Sequence, residues 1–295
     1  MLDTSTTPRI DAHCHLWQLD RGDYHWLDTS NPEFRSIAYD FTIDDLATAT
    51  KNTNVSQFIA VQAAATEAET DYLLSLADEN SDILGVVGWV DLAGANAVNS
   101  IDRFSKHTAF KGIRPMLQDI ENTTWLVDVP APHIWTHLEQ NNLRFDALIT
   151  PRHLPMIHQF CLDHPNLPIV IDHAAKPDIA GAHDEAFKTW CSNMSAIAQQ
   201  SNTHCKISGL LTEMAPAQLP NAHTILEPFI DHLLDVFGPE RLMWGSDWPV
   251  VLMAGDYNIW NDLTMKLLQD LSHDSRALIL GGSAAKFYGI TGAYK

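Results

Sequence analysis

The sequence predicts a (β/α)8 barrel, and three observations predict it. Eight short apolar, β-branched or aromatic runs recur along the chain, separated by stretches with apolar residues at helical spacing. Strands alternating with helices argue for a parallel sheet, and eight repeats argue for its closure. A length of 295 residues suits one such barrel, which needs ~250 residues plus longer loops. An open doubly wound sheet is the competing architecture, but no Gly-x-Gly-x-x-Gly follows the first run.

The strands are expected at 9–16, 57–64, 83–92, 110–116, 143–149, 168–175, 203–210 and 242–249. Between them lie segments such as Glu67 to Ala77, with leucines at helical period. The first connection, Trp17 to Asp45, is long and carries Trp17, Tyr24, Trp26, Phe34 and Tyr39. A long loop beside a barrel mouth reads as a lid or pocket wall. The plainer alternative is a surface loop pinned by its aromatic rings. A second loop, Leu117 to Asn142, brings Gln118 and Asp119 directly after the fourth strand.

Composition narrows the class. Hydrophobic residues make up 45% and charged residues 19%, and no Pro/Ser/Gly tract or charge block marks a linker. The chain reads as one domain over 1–295. The formal charge of −19 repels nucleic acid and anionic lipid, so neither is an expected partner. No apolar run approaches the ~20 residues of a membrane span, and the start lacks a basic, then apolar, leader. Cys14, Cys161, Cys191 and Cys205 are scattered and form no C-x-x-C pair. A cytoplasmic protein acting on a small molecule is expected, with homo-oligomer formation left open.

Catalytic groups of a barrel collect at the C-terminal ends of its strands. His13 and His15 end the first run, and alternation turns both imidazoles to one face and Cys14 to the other. His173 ends the sixth run and Asp247 the eighth. Taken singly each has an ordinary explanation: a satisfied histidine, or an aspartate capping a turn. Their joint occurrence at separate strand ends points to hydrolytic chemistry. Gln62, Arg114 and Lys206 occupy similar ends, where a structural polar role inside the barrel explains them equally well.

The chain resembles the amidohydrolase superfamily, in its branch of sugar lactonases and 2-pyrone-4,6-dicarboxylate lactonases. The runs that carry the likeness are Ile10-Asp-Ala-His-Cys-His15, Gly22-Asp-Tyr-His-Trp26, Lys111-Gly-Ile-Arg-Pro115, Ile171-Asp-His-Ala-Ala-Lys-Pro177, Cys205-Lys-Ile-Ser-Gly-Leu210 and Arg241-Leu-Met-Trp-Gly-Ser-Asp-Trp-Pro249. The resemblance implies a barrel hydrolase in which Asp247 takes a proton from water while His13, His15 and His173 hold a metal or donate hydrogen bonds. It implies His13, His15, His173 and Asp247 as the metal ligands. Binuclear members need a fourth-strand lysine and a fifth-strand histidine. Here Lys111 precedes Gly112 on the fourth run, and the fifth run offers Asp146 but no histidine before Thr150, with His153 lying beyond Pro151. One divalent ion, zinc, or none is therefore expected; the branch holds both zinc-containing and metal-independent forms.

The predicted reaction is lactone opening by water with Asp247 as general base. Trp26 and Tyr24 are expected to stack on a sugar ring, with Gln62, Arg114, Gln118, Lys176 and Glu213 bonding its oxygens. Few cations face the pocket, which favours a neutral aldonolactone, such as that of a deoxy sugar, over a dicarboxylate. Two competitors are a metal-dependent decarboxylase on the same barrel and a non-catalytic carbohydrate-binding protein.

Overall fold

A computed structural model describes residues 9–28, 30–181 and 184–290. Eight parallel strands form one sheet in sequential order: β1 (Arg9–Cys14), β2 (Val55–Val61), β3 (Ile83–Gly88), β4 (Phe110–Ile113), β5 (Arg144–Ala147), β6 (Ile169–Ile171), β7 (Thr203–Ile207) and β8 (Leu242–Trp244). The helices between them are α1 (Ile43–Thr50), α2 (Glu67–Glu79), α3 (Ala97–Phe104), α4 (Trp125–Asp128), α5 (Pro132–Gln140), α6 (Leu154–Asp163), α7 (Asp184–Ala198), α8 (Ala222–Phe237), α9 (Tyr257–Leu267), α10 (His273–Ala277) and α11 (Ser283–Phe287). This is a (β/α)8 barrel. All eight expected strands are present, but each ends two to five residues earlier than its apolar run.

Two apolar layers hold the barrel. The larger lies between the strands' outer faces and the helices, and includes Cys14, Phe58, Phe145 and Trp190. The smaller joins Ile10, Ala12, Ile59, Val61, Val87, Val170 and Met243 with Ala284 and Phe287 of α11 and Tyr288 just after it. Residues of five different strands can meet only across the barrel interior, so this cluster is its inner filling, with α11 packed against it. Above it the interior turns polar.

The transition is made by a bulge in β1. Asp11 pairs with Phe58 and Cys14 with Ala60, three steps against two. Ala12 and His13 therefore both turn inward, and alternation then resumes with Cys14 outward and His15 inward. Asp11 points outward and fastens the bulge: Oδ1 accepts the N–H of His13 (3.1 Å) and of Ser246 (2.8 Å), while Oδ2 accepts the Tyr257 hydroxyl at 2.9 Å. Burial raises this carboxyl to about 6, even against those hydrogen bonds.

The last seam of the barrel is closed by strand-end residues themselves. Asp247 N–H donates to the His13 carbonyl at 2.8 Å, and His15 N–H to the Trp248 carbonyl at 2.7 Å. Gly245 lies beside this seam, where a Cβ would sit 2.7 Å from that of His13, so β1 and β8 approach closely only because the side chain is absent. Among the described residues no helix is long and apolar enough to cross a membrane, and the four cysteines are unpaired.

Candidate functional site

The histidines and Asp247 converge at the C-terminal mouth. Asp247 Oδ1 lies 3.2 Å from His15 Nε2, 3.7 Å from His13 Nε2 and 3.8 Å from His173 Nε2. All four side chains are buried. Burial alone would raise the Asp247 carboxyl, but the facing imidazoles, His173 first, hold it far below the ordinary carboxylate range. Asp247 is thus ionised near pH 7. Burial pushes His173 down to about 4, and burial with Lys206 pushes His13 well below its ordinary value. Both are neutral near pH 7.

Backbone strain aims two of these groups. Residues 173–176 run in the left-handed region, with φ of +51, +51, +61 and +49°, and Asp247 has φ of +57°. Such conformations cost ~1–2 kcal/mol per non-glycine residue. The left-handed turn begins where β6 stops and carries His173 and Lys176 to the same cavity. It is pinned by the Trp190 indole N–H on the Ala174 carbonyl at 2.8 Å, and His173 Nδ1 pairs with Ser208 Oγ at 2.9 Å. Gly209, at φ +63°, clears the space behind that imidazole.

Beneath the mouth lies a buried charge network. Lys206 Nζ stands 2.6 Å from Asp146 Oδ2, 3.0 Å from Asp172 Oδ1 and 3.1 Å from His13 Nδ1. Burial disfavours its charge, but the two carboxylates outweigh burial and raise its pKa. Tyr288 donates to Asp146 Oδ2 at 2.7 Å, tying the network to the end of α11. Arg114 reaches Asp172 Oδ2 at 3.5 Å and donates to the Gln62 carbonyl, while Gln62 Nε2 donates back to the Arg114 carbonyl at 2.5 Å.

Above these groups opens a cavity of about 380 Å³, enough for one small ring compound. Its polar lining is His15, Arg114, Gln118, Asp119, His173, Lys176, Thr212, Glu213 and Asp247; Trp26, Phe34, Ala63, Met116, Leu148, Val250 and Met253 supply the apolar wall. Of the residues singled out from sequence, His15, Trp26, Arg114, Gln118, His173, Lys176, Glu213 and Asp247 meet here. His13 lies one layer below, and Gln62 is buried behind as a brace between β2 and β4. Tyr24 is buried against Trp17, ring centroids 6.0 Å apart, and does not line the cavity. The first long loop is both wall and anchored surface: Trp26 faces the cavity and donates its indole N–H to the Ala63 carbonyl at 2.7 Å, while Trp17 bridges to Phe41.

Sequence reasoning passed over Ser208, Asp172 and the loop residues Leu148, Thr212, Val250 and Met253. Asp172 stands beside His173 and Ser208 two positions after Lys206, so strand-end position was an available signal. The loop residues carried none, because their approach depends on loop paths.

In ligand type and spacing the site suits one divalent ion. His13, His15 and Asp247 offer ligand atoms within 4.8 Å of one another, as do His13, Asp172 and His173. His15 is oriented for such a role: its Nδ1 lies 2.8 Å from the Val61 carbonyl, which only accepts, so Nδ1 carries the hydrogen and Nε2 faces Asp247. An imidazole lone pair and a carboxylate oxygen at 3.2 Å require a cation with them, a proton or a metal ion.

Comparison with known proteins agrees with this geometry. Residues 10–290 match the family model described as amidohydrolase. An L-fucono-1,5-lactonase of Burkholderia ambifaria is 41% identical over 289 residues, covering 96% of each chain. A second L-fucono-1,5-lactonase, from Burkholderia multivorans, is 34% identical over 290 residues, again covering 96% of each. The crystal structure of an amidohydrolase from Burkholderia multivorans with bound zinc superposes with a TM-score of 0.86 at 33% identity, covering 96% of this chain and all of that one.

Proposed function

From the premise that the chain belongs to the amidohydrolase family and is a lactone-hydrolysing enzyme, we propose that it opens a neutral deoxy-sugar 1,5-lactone with Asp247 as general base. The observation that carries the substrate class is the pairing of the cavity's cations. Lys176 faces Glu213 at 3.8 Å, and Arg114 faces Asp172 at 3.5 Å. Neither has charge to spare for a dicarboxylate. The apolar wall of Phe34, Leu148, Val250 and Met253 suits the methyl group of a deoxy sugar, and Trp26 suits its ring face. The substrate names of the two Burkholderia lactonases support the same class.

In this reading a water held by Asp247 attacks the lactone carbonyl carbon and gives its proton to the carboxylate. The tetrahedral oxyanion is met by donors of Arg114 and of the His13 and His173 imidazoles, each worth about 3–4 kcal/mol when preorganised. Collapse breaks the bond to the ring oxygen, and the proton on Asp247 passes to that leaving alkoxide. The strongly ionised Asp247 is a weak base, which suits an activated ester better than an amide. His13, His15 and Asp247 are the residues that would hold zinc, which when bound lowers the pKa of water to ~7 and polarises a carbonyl. The unpaired cysteines suit a reducing cytoplasm.

The test is a pH-indicator screen of aldonolactones and a pyrone dicarboxylate with as-purified, chelator-treated and zinc-reconstituted protein. Turnover is expected to favour deoxy-sugar 1,5-lactones. Preference for the dicarboxylate would overturn the substrate class, and carbon dioxide release without ring opening would overturn the reaction.

A further inference from the structure

The mechanism above leaves one element unused, the buried Lys206 beneath His13. We propose that Lys206 is a positioning residue that fixes the tautomer of His13, keeping its Nε2 as an N–H donor toward the mouth and opposing metal binding there. This inference rests on the hydrolytic reading of the site, but its direct test does not require turnover.

The geometry is a matter of matching donors to acceptors. An ammonium group has three N–H bonds and no lone pair. Lys206 Nζ has three acceptors in reach: Asp146 Oδ2 at 2.6 Å, Asp172 Oδ1 at 3.0 Å and His13 Nδ1 at 3.1 Å. The third bond exists only if Nδ1 carries a lone pair, and a neutral imidazole then carries its hydrogen on Nε2. Arg114 Nη1 also lies 3.4 Å from Nε2. A neutral ring accepts at one nitrogen only, and the shorter approach belongs to Lys206. Arg114 has other partners in Asp172 and the Gln62 carbonyl.

His15 shows the opposite arrangement. Its Nδ1–H is committed to the Val61 carbonyl, so Nε2 is the nitrogen free to ligate. The two histidines of the first strand thus differ in role although they share a face. Asp172 Oδ1 lies 3.4 Å from His13 Nδ1. It would accept an Nδ1–H if Lys206 released that nitrogen, and His13 Nε2 would then be free for a metal. Metal binding through His13 therefore has to break the Lys206 bond, and Lys206 tunes the centre toward hydrogen-bond chemistry.

The experiment uses chelator-treated full-length protein with 15N-labelled histidine. Long-range 1H–15N spectra read the tautomer of His13, whose signals are assigned by their loss in His13→Gln. Wild-type His13 is expected to be neutral with hydrogen on Nε2; hydrogen on Nδ1, or on both nitrogens, overturns the proposal. In folded Lys206→Met the hydrogen is expected on Nδ1. Zinc affinity, read by competition with a chromophoric chelator, should rise ~10-fold or more, as expected for removing one competing charge-assisted hydrogen bond. Unchanged affinity in the folded variant also overturns it. If Lys206→Met does not fold, the wild-type spectrum alone decides.

Discussion

Gly209→Ala should displace the His173 imidazole and cost far more activity than stability. A Cβ at this position would lie 2.6 Å from His173 Nδ1, 2.8 Å from its Cγ and 3.1 Å from Asp247 Oδ2. Ordinary contact begins at 3.4 Å, so the imidazole has to retreat by about 0.8 Å, the difference of those two distances. His173 is held in a left-handed turn by Trp190 and cannot retreat without loosening its bond to Ser208. The φ of +63° adds ~1–2 kcal/mol of strain for a residue with a side chain. Misplacement near 1 Å costs ~10²-fold in rate, whereas the strain lowers Tm by only roughly 2–8 °C in a domain of this size. The assay is acid release from the deoxy-sugar 1,5-lactone turned over fastest in the aldonolactone screen, alongside thermal melts. A lowered Tm with kcat within threefold of wild type would refute the argument that His173 must sit where Gly209 lets it.

Three further substitutions test other parts of the account. Glu69 is buried, accepts the N–H groups of Ala63 and Ala64, and is raised to about 7 chiefly by burial. The folded state therefore binds its proton more tightly than the unfolded chain, so stability is lost as pH rises from ~4.5 to ~7, by about 3 kcal/mol in all. Glu69→Gln keeps an acceptor oxygen and should remove that slope from a Tm–pH series; parallel curves would contradict the assignment. Trp26→Ala should raise KM ~10-fold with a smaller change in kcat, from loss of a stacking face; initial rates showing the reverse split would place Trp26 outside ground-state binding. Glu213→Gln leaves Lys176 without its partner and should tighten inhibition by a dicarboxylate ~5-fold, a part-exposed ion pair being worth ~1 kcal/mol at most; unchanged inhibition would remove charge pairing as the basis of substrate class.

The barrel was legible in sequence because eight buried strands need eight apolar runs, whatever their loops do. The strand ends were not, since polar, turn-forming residues follow the ladders without a break in pattern. Ile171-Asp-His-Ala-Ala175 reads as continuing strand, yet residues 173–176 form a left-handed turn. The common face of His13 and His15 followed from alternation, and the structure keeps it. The bulge below them did not, because Asp11 acts through Ser246 and Tyr257, more than 230 residues away along the chain. Distance in sequence also hid the Lys206 network: nothing local says that residues 13, 146, 172 and 206 share one interior. Tyr24 shows the converse, an aromatic in the right loop turned into packing rather than toward the cavity.

The claim on which the account turns is that Asp247, ionised among three imidazoles, takes the proton from attacking water. The most direct measurement compares kcat for the best deoxy-sugar 1,5-lactone substrate in wild type and Asp247→Asn, with circular dichroism to confirm that the variant is folded. The account predicts a loss of at least ~10²-fold, the usual worth of a general base, in a folded protein. A folded Asp247→Asn enzyme turning over within a few fold of wild type would contradict it.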